Sequence, residues 1–380
     1  MKPFDVYPLI NVTPVRAEGS RIWDDQGQEY LDLYGGHAVI SIGHNHPHFN
    51  KRIKDQLEKI TFYSNSVQIP IQKELAQKLG EISGYPDYNL FLCNSGAEAN
   101  ENAIKLASFE TRKRGFISFS GAFHGRTSGA VALTDNPKIV APFNQHDEVY
   151  ILPLNDAAAV EQQLSKGNIA GIIIEGIQGV NGIQEPTADF LKALSHLSKK
   201  FGVKLILDEV QSGYGRTGKF FAHQWVPGLQ PDMITTAKGM GNGYPIGGVL
   251  IHPDIKASYG LLGTTFGGNH LACAAGLAVL EVLENEDLLN NANESGRFLK
   301  KEMGLIEGIT EVRGKGLMIG IDFESEAAPI RSNLINNYKI FTGSSAGKNT
   351  IRLLPPLNIQ IKDLTLFLES IRKILALAKN

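Results

Sequence analysis

Two ionisable residues, Asp208 and Lys238, each follow a short apolar segment. Residues 203–207 read VKLIL without a helical period, which is typical of a strand buried on both faces, and the adjacent carboxylates Asp208 and Glu209 come directly after it. The second segment, DMITTA, leads to Lys238 and a glycine-rich run. A carboxylate at the carboxyl end of a parallel strand lies where open α/β sheets bind ligands. A lysine held among small residues can lose its proton and act as a nucleophile.

One cofactor uses both of these groups. Pyridoxal phosphate needs a lysine for its Schiff base and an anion beside its pyridinium nitrogen. The simpler interpretation is a buried ion pair between Asp208 and Lys238, which is the commoner meaning of two such residues. Other stretches of the chain favour the cofactor.

A strand followed by a helix supplies a phosphate site. Asn89–Cys93 is predicted as a strand and residues 97–108 as a helix, with Ser95 and Gly96 in the tight turn between them. Exposed N–H groups at a helix start, with a hydroxyl at the cap, bind phosphate. An ordinary capped helix is the alternative, but the small residues Gly96 and Ala97 let a ligand approach the backbone.

Four further side chains have types that suit a cofactor and its substrates. Phe123 follows the strand GFISF and would stack on a planar ring. Arg126 presents a planar fork that pairs with a carboxylate, and Arg352, at the end of an apolar strand, would do the same. The hydroxyl of Thr265 would reach a phosphate. Surface positions, a rim arginine and a simple turn are the alternatives.

Two other sequence patterns are typical of different binding sites. His44, His46 and His48 alternate as in a metal site, but a proline interrupts them and no acidic or cysteine ligand stands nearby, so no metal is expected. Residues 213–218 match G-x-G-x-x-G, the signature of a nucleotide-binding dehydrogenase. No apolar helix follows them, which disfavours a dinucleotide site.

Composition excludes several classes of protein. The chain has 380 residues, 37 basic and 39 acidic side chains, and 42% hydrophobic residues. That balance argues against a partner that is a nucleic acid or a membrane surface. The chain start lacks the apolar core of a signal peptide. Cys93 and Cys273 lie far apart in apolar or small-residue contexts, so free thiols and a cytoplasmic location are expected.

The order of predicted elements indicates an α/β fold. Strands and helices alternate from about residue 89 to 250, which favours a largely parallel sheet covered by helices. Residues 1–50 contain a hairpin and are assigned to the N-terminal part of a small domain. Residues 51–269 form the large cofactor domain. Residues 270–380, which begin with a long linking helix, complete the small α+β domain.

Six stretches together resemble the class III, or subgroup II, aminotransferases of the type I pyridoxal-phosphate fold. They are NSGAEANENAIKLA, FSGAFHGRTSGA, LILDEVQSGYGRTGKFFA, PDMITTAKGMGNGYPIGG, GTTFGGNHLACAAGLAVL and IRLLPPL. The resemblance covers nearly the whole chain and is strongest to the acetylornithine and succinylornithine aminotransferases. It implies a homodimer with shared active sites.

The resemblance gives each motif residue a role toward the cofactor. Lys238 is implied to form the Schiff base, and Asp208 to hold the pyridinium nitrogen. The ring lies between Phe123 and Val210. The remaining implied cofactor contacts are Ser95, Gly96, Ala97, Glu209, Gln211 and, from the neighbouring subunit, Thr265.

The resemblance also implies substrates and their contacts. Arg126 takes the α-carboxylate of the amino donor, Arg352 that of 2-oxoglutarate or glutamate, and Thr264 lies near the donor. The implied reaction moves the δ-amino group of an N-acylated ornithine to 2-oxoglutarate in arginine biosynthesis. An ornithine or 4-aminobutyrate aminotransferase, or an aminomutase, is the alternative within the fold.

One departure from the family pattern bears on the amino donor. The family usually reads E-P-I-Q-G-E-G-G, whereas this chain has EGIQGVNG from Glu175, with Val180 at the position of the second glutamate. In relatives that glutamate pairs with the arginine that corresponds to Arg352. Without it the pocket is more positive, which favours a donor with a carboxylate on its acyl group. N-acetylornithine, with Val180 serving only in packing, remains open; His37 also stands where relatives have other residues.

Overall fold

The computed structural model describes residues 1–377. The strands are β1 (Pro14–Glu18), β2 (Arg21–Asp24), β3 (Glu29–Asp32), β4 (Asn89–Cys93), β5 (Gly115–Phe119), β6 (Val149–Leu152), β7 (Ile169–Glu175), β8 (Lys204–Asp208), β9 (Met233–Thr236), β10 (Gly247–Ile251), β11 (Ile309–Lys315), β12 (Met318–Phe323), β13 (Ile340–Phe341), β14 (Gly343–Ser344) and β15 (Thr350–Leu353). The helices are α1 (Gly35–Ala38), α2 (Pro47–Leu57), α3 (Pro70–Ser83), α4 (Gly96–Thr111), α5 (Ser128–Ala132), α6 (Ala157–Ser165), α7 (Ala188–Phe201), α8 (His270–Asn285), α9 (Leu288–Met303), α10 (Ala327–Tyr338) and α11 (Ile361–Leu377).

A seven-stranded sheet forms the centre of the fold, in the order β4-β10-β9-β8-β7-β5-β6. β10 runs antiparallel to both of its neighbours, and the other strands are parallel to one another. Every residue of β5, β7 and β9 is buried, which explains why these segments show no alternation of polar and apolar residues. The prediction of a largely parallel α/β sheet is confirmed.

Helices cover both faces of this sheet. α6 and α7 pack on the side formed by Ile172, Ile174 and their neighbours, whereas α4 packs against the side that contains Ile173 and Ile206. These residues alternate in sequence, so successive side chains of one strand enter opposite apolar layers. The sheet is thereby fixed between two cores, and only its strand ends are free to form a site.

Two smaller sheets lie outside the central one. The predicted hairpin is present: β2 and β3 pair antiparallel, with Asp25 to Gly27 between them. β13 pairs parallel to β3, so the N-terminal and C-terminal parts of the chain share one sheet. The other sheet has the order β11-β12-β15-β14. The domain boundaries at residues 50 and 269 stay a prediction.

Two strands of the central sheet, β6 and β10, were not predicted. The glycine-rich run after Lys238 ends in β10, whose first residues, Gly247 and Gly248, pair with Cys93 and Leu92 of β4. A Cβ on Gly247 would lie 2.6 Å from the carbonyl oxygen of Ser95, so glycine is required for this close approach. The sequence predicts a last helix over residues 362–378, and residue 378 lies outside the described residues. Within residues 1–377, no helix has the length and apolar character needed to cross a membrane.

Candidate active site

The parallel strands of the central sheet end at one edge, and the predicted chemistry lies there. Asp208 ends β8, Glu175 ends β7, and Lys238 follows β9 after one intervening alanine. A cavity of about 400 Å³ opens at this edge. The predicted residues that line it are Ser95, Gly96, Ala97, Phe123, Arg126, Asp208, Val210, Gln211 and Lys238.

The carboxylate of Asp208 is buried and firmly held. Its Oδ1 accepts a hydrogen bond from the backbone N–H of Val210 at 3.0 Å. Its Oδ2 accepts from Asn100 Nδ2 and His124 Nδ1, both at 2.8 Å. Because Oδ1 has one partner among residues 1–377, it can accept a further hydrogen bond from a ligand in the cavity.

His124 and Asn100 are site residues that sequence reasoning missed. His124 follows Phe123 in a glycine-rich loop, yet it is 2% exposed and its ring contacts Asp208. Asn100 lies on the first turns of α4, where its amide also donates to the carbonyl of His124 and accepts from Thr235. A polar residue on the buried face of a helix, such as Asn100, was the available signal.

Lys238 lies in a strained and buried position. Its φ is 47°, in the left-handed region that non-glycine residues rarely adopt. Burial lowers the pKa of its ammonium group; the charges of Asp208 and Glu175 oppose this shift, and Arg352 adds to it. A lysine with a lowered pKa is a better nucleophile and base, as the nucleophile predicted from the sequence must be.

Glu175 forms a second buried carboxyl group at the cavity. Its Oε1 accepts from the backbone N–H of Phe123 at 3.0 Å and its Oε2 from that of Gly179 at 2.9 Å. Burial raises the pKa of Glu175 to about 7, and the negative charge of Asp208 adds to this rise. These two contacts fix the loop that positions Phe123, a role that the sequence did not indicate.

The N-terminus of α4 enters the same cavity. Ser95 is the cap, with its hydroxyl accepting from Glu98 N at 3.2 Å. A Cβ on Gly96 would lie 2.5 Å from Val210 Cγ1, so only glycine allows the helix start to lie this close to the residue after Asp208. The first N–H groups of a helix have no partner within it and carry partial positive charge.

Four of the predicted residues are not part of the cavity wall. Glu209 faces away, because its carboxylate accepts from Ser212 and from Ala222 N, and twice from His223. Thr264 is half-buried behind the cavity residue Asn94. Thr265 is exposed. The fourth, Arg352, lies behind the cavity wall.

Arg352 is 3% exposed and is held by neutral groups. Its Nη1 donates to the carbonyl of Gly179 at 3.0 Å, and its Nε to that of Ser344 at 2.5 Å. Burial lowers its pKa. Val180, next to Gly179, lines the cavity, so the apolar residue at this position borders both the cavity and the arginine.

Two other sequence patterns have local explanations. His44, His46 and His48 pair with three different carboxylates, Asp32, Glu286 and Glu281 respectively, and therefore tie the chain before α2 to β3 and α8. Residues 213–218 form turns and lead into a short 3-10 helix, Ala222–Trp225, instead of the long helix of a dinucleotide fold.

The chain was compared with known proteins. The family profile for class III aminotransferases matches residues 5–375. The chain belongs to the class III aminotransferases. It is 42% identical to the acetylornithine aminotransferase of Archaeoglobus fulgidus, over 93% of this chain and 92% of that one. For the enzyme of the same name from Bacillus subtilis the values are 40%, 94% and 93%.

Solved structures agree with this assignment. The acetylornithine aminotransferase of Elizabethkingia anophelis superposes with a TM-score of 0.83 at 31% identity, over 98% of this chain and 95% of that one. An ornithine aminotransferase from Toxoplasma gondii, described with pyridoxal phosphate at its active site, gives 0.90 at 27% identity, over 99% and 94%. This class III aminotransferase is thus a pyridoxal-phosphate-dependent transaminase with the type I fold.

The residues present fit that cofactor. The cavity offers a buried carboxylate with a free acceptor position, a lysine with a lowered pKa and a helix N-terminus for an anion. One end of the Gln211 amide, Oε1, is buried without a partner, while the other end donates to the His37 carbonyl at 3.2 Å. The individual contacts of each residue stay predictions.

Proposed function

We propose that this aminotransferase moves the δ-amino group of an N-acylated ornithine, acetyl or succinyl, to 2-oxoglutarate, giving the semialdehyde and glutamate. The observation that carries the proposal is the opening of Asp208, Lys238 and the exposed Arg126 into one cavity. The similar acetylornithine aminotransferases support an N-acylated ornithine as the donor. A role in arginine biosynthesis is proposed together with this activity.

The proposed cofactor contacts use the groups described above. Asp208 would hold the pyridinium nitrogen, Phe123 and Val210 would contact the two ring faces, and Gln211 would contact the phenolic oxygen. Ser95, Gly96 and Ala97, at the start of α4, would hold the phosphate. When bound, pyridoxal phosphate supplies an electron sink that acidifies the C–H beside the substrate's amino group.

Lys238 then handles the proton. Its Nζ is buried, and burial lowers its pKa, which favours the free amine. As a general base, its amine would accept the proton from the substrate carbon that bears the amino group, and as a general acid it would give that proton up again. The two half-reactions share one site, which predicts ping-pong kinetics.

Arginines are proposed to orient the two substrates. Arg126 is exposed at the cavity and has no hydrogen-bond partner among residues 1–377, so its fork is free for the donor's α-carboxylate. Arg352 takes the α-carboxylate of 2-oxoglutarate from behind the cavity wall, and Thr264 lies near the donor. Glu209 is better explained as an anchor of the loop after β8, because its hydrogen bonds are all internal.

A homodimer with shared sites is part of the proposal. Thr265 is exposed and does not line its own cavity, as expected if it reaches the phosphate of a second copy. The rings of Phe62 and Phe266 contact each other and are 39% and 60% exposed. They form an apolar surface beside Thr265. The domain division at residues 50 and 269 and a cytoplasmic location are proposed with it.

A panel of amino donors tests the function. Ornithine, N-acetylornithine, N-succinylornithine and 4-aminobutyrate are each assayed with 2-oxoglutarate, and glutamate formation is measured. We expect the highest kcat/KM for an N-acylated ornithine. A higher value for free ornithine or 4-aminobutyrate would replace the proposal with the corresponding aminotransferase.

A further inference from the structure

A second arginine lies beside Arg352 at the edge of the site. Arg331 belongs to α10 and Arg352 to β15, and both act on the hydroxyl of Tyr34: the charges of Arg352 and Arg331 oppose the rise in the pKa of Tyr34 that burial causes. The Nη2 of Arg352 donates to this hydroxyl at 3.4 Å. Arg352 therefore contacts the tyrosine, and the charge of Arg331 is close enough to influence it.

Backbone contacts join these residues into one wall. Arg331 Nη2 donates to the carbonyl of Thr342 at 3.1 Å, and the next residue, Gly343, pairs with Arg352 across β14 and β15. A Cβ on Gly343 would lie 2.4 Å from the Tyr34 ring, so the strand lies directly against the tyrosine. Arg331 is thus held in place beside the strand that contacts Tyr34.

This wall reaches the cavity through two residues. Arg352 donates to the carbonyl of Gly179, next to the cavity residue Val180. His37 contacts the hydroxyl of Tyr34 through Nδ1, and its carbonyl accepts from the cavity residue Gln211. Burial lowers the pKa of His37, and the charges of Lys238 and Arg352 lower it further, so this ring is close to both groups.

The guanidinium of Arg331 is incompletely bonded. It is half-buried, its Nε is buried without a hydrogen-bond partner, and it forms no ion pair within residues 1–377. Burial lowers its pKa, and Tyr34 is the group that opposes this shift. A buried donor without an acceptor costs free energy, which indicates that an acceptor arrives from outside the described chain.

Structural arginines elsewhere in the chain differ. Arg313 pairs with Asp322 and Glu311, and Arg52 pairs with Glu281. The fully buried Arg216 donates to the carbonyls of Leu317, Pro355 and Ile40 instead. Arg331 has neither a carboxylate nor a set of carbonyls.

We propose that Arg331 binds a carboxylate on the acyl group of the donor, which makes N-succinylornithine the preferred substrate. This inference rests on the proposed acylornithine function. Arg126 is assigned to the α-carboxylate, so a second carboxylate needs its own cation, and a guanidinium pairs with it in bidentate fashion. Val180, which lines the cavity, is uncharged and does not repel this second carboxylate. An acetyl group has no carboxylate for Arg331 to bind.

Three donors separate charge from length. N-succinylornithine, its terminal amide and N-acetylornithine are assayed with 2-oxoglutarate, in the parent enzyme and in Arg331→Gln. Arg297→Gln is the matched control, because Arg297 is an exposed arginine on α9 of the same part of the chain. Arg331→Lys tests for partial rescue, since it keeps the charge and loses the fork. Visible absorbance of the bound cofactor and a thermal melt report whether each variant folds and is loaded.

The parent should prefer N-succinylornithine over both other donors. Arg331→Gln should lower its kcat/KM by about tenfold or more, mainly through KM, as expected for loss of a hydrogen bond to a charged group. The values for N-acetylornithine, and the KM for 2-oxoglutarate, should change less than about threefold. Arg297→Gln should leave all values unchanged.

Other outcomes overturn the inference in distinguishable ways. Preference of the parent for N-acetylornithine, or an equal loss with all three donors in loaded Arg331→Gln, removes the role of Arg331 and leaves the acylornithine function standing. A rise in the KM for 2-oxoglutarate alone would assign Arg331 to the other substrate. Absence of turnover with every N-acylornithine would refute the proposed function and this inference together.

Discussion

Replacement of Asp208 by asparagine tests the electrostatic part of the site. The change keeps the shape of the side chain and removes its charge. The native carboxylate only accepts, from Val210 N–H on one oxygen and from Asn100 and His124 on the other. An amide must turn its NH2 toward one of these two groups of donors. Whichever orientation it takes, at least one hydrogen bond is lost, although His124 can relieve its own conflict by adopting its other tautomer.

The magnitude follows from the loss of a preorganised charge. Asp208 is 3% exposed, so water cannot replace its carboxylate beside the ring nitrogen. Groups that stabilise charge in such a site contribute about 3–4 kcal/mol to the transition state. With about 1.4 kcal/mol for each factor of ten, kcat should fall roughly 100- to 1,000-fold.

The assay is steady-state turnover per cofactor-loaded site, with loading measured by visible absorbance. Asp232→Asn is the matched control: Asp232 precedes β9 at the opposite end of the sheet and accepts from Leu205 N at 2.9 Å. It should cost stability and leave kcat within a few-fold of the parent. A fall of less than tenfold in fully loaded Asp208→Asn would refute the assignment of Asp208 as partner of the ring nitrogen.

Three further predictions concern residues around this centre. Because burial raises the pKa of Glu175 from 4.5 to about 7, the folded state binds more protons than the unfolded state in that window, and stability falls as pH rises through it. Glu175→Gln should therefore reduce the loss of melting temperature between about pH 5 and about pH 8, and an unchanged profile would contradict the shift. Mixing inactive Lys238→Ala with Thr265→Ala should raise activity above the sum of the two, since a heterodimer holds one intact site; activity independent of mixing would exclude shared sites. Val180→Glu should lower the kcat/KM for N-succinylornithine relative to N-acetylornithine, because its carboxylate would lie near Arg352, and an unchanged ratio would mean that Val180 serves only in packing.

The central sheet and its reactive end were predictable because their signals are local. The buried strands before Asp208 and Glu175 are uniform apolar runs, and the small residues after Ser95 mark the turn into α4. Parallel strands end at one edge, so the approach of Asp208 and Lys238 followed from strand order alone. β10 was not predicted because its first two residues are glycines, which are depleted in strands. These glycines are required by the close approach of β4.

Contacts between distant segments were not predictable in the same way. His124 lies 84 residues from Asp208 in sequence, and nothing in its neighbourhood distinguishes a buried histidine from an exposed one. Glu209 faces away from the cavity because Ser212, Ala222 and His223 donate hydrogen bonds to its carboxylate. The partnerless guanidinium of Arg331 is visible only once α10 and β14 are packed together.

Covalent attachment of the cofactor is the most direct test of the central claim. The loaded enzyme is reduced with borohydride, digested and mapped by mass spectrometry, with Lys238→Ala and the exposed Lys219→Ala treated in parallel. We expect a pyridoxyl mass on Lys238 in the parent and in Lys219→Ala, and neither label nor turnover in Lys238→Ala. A label on another lysine, or turnover like that of the parent in Lys238→Ala, would contradict the account.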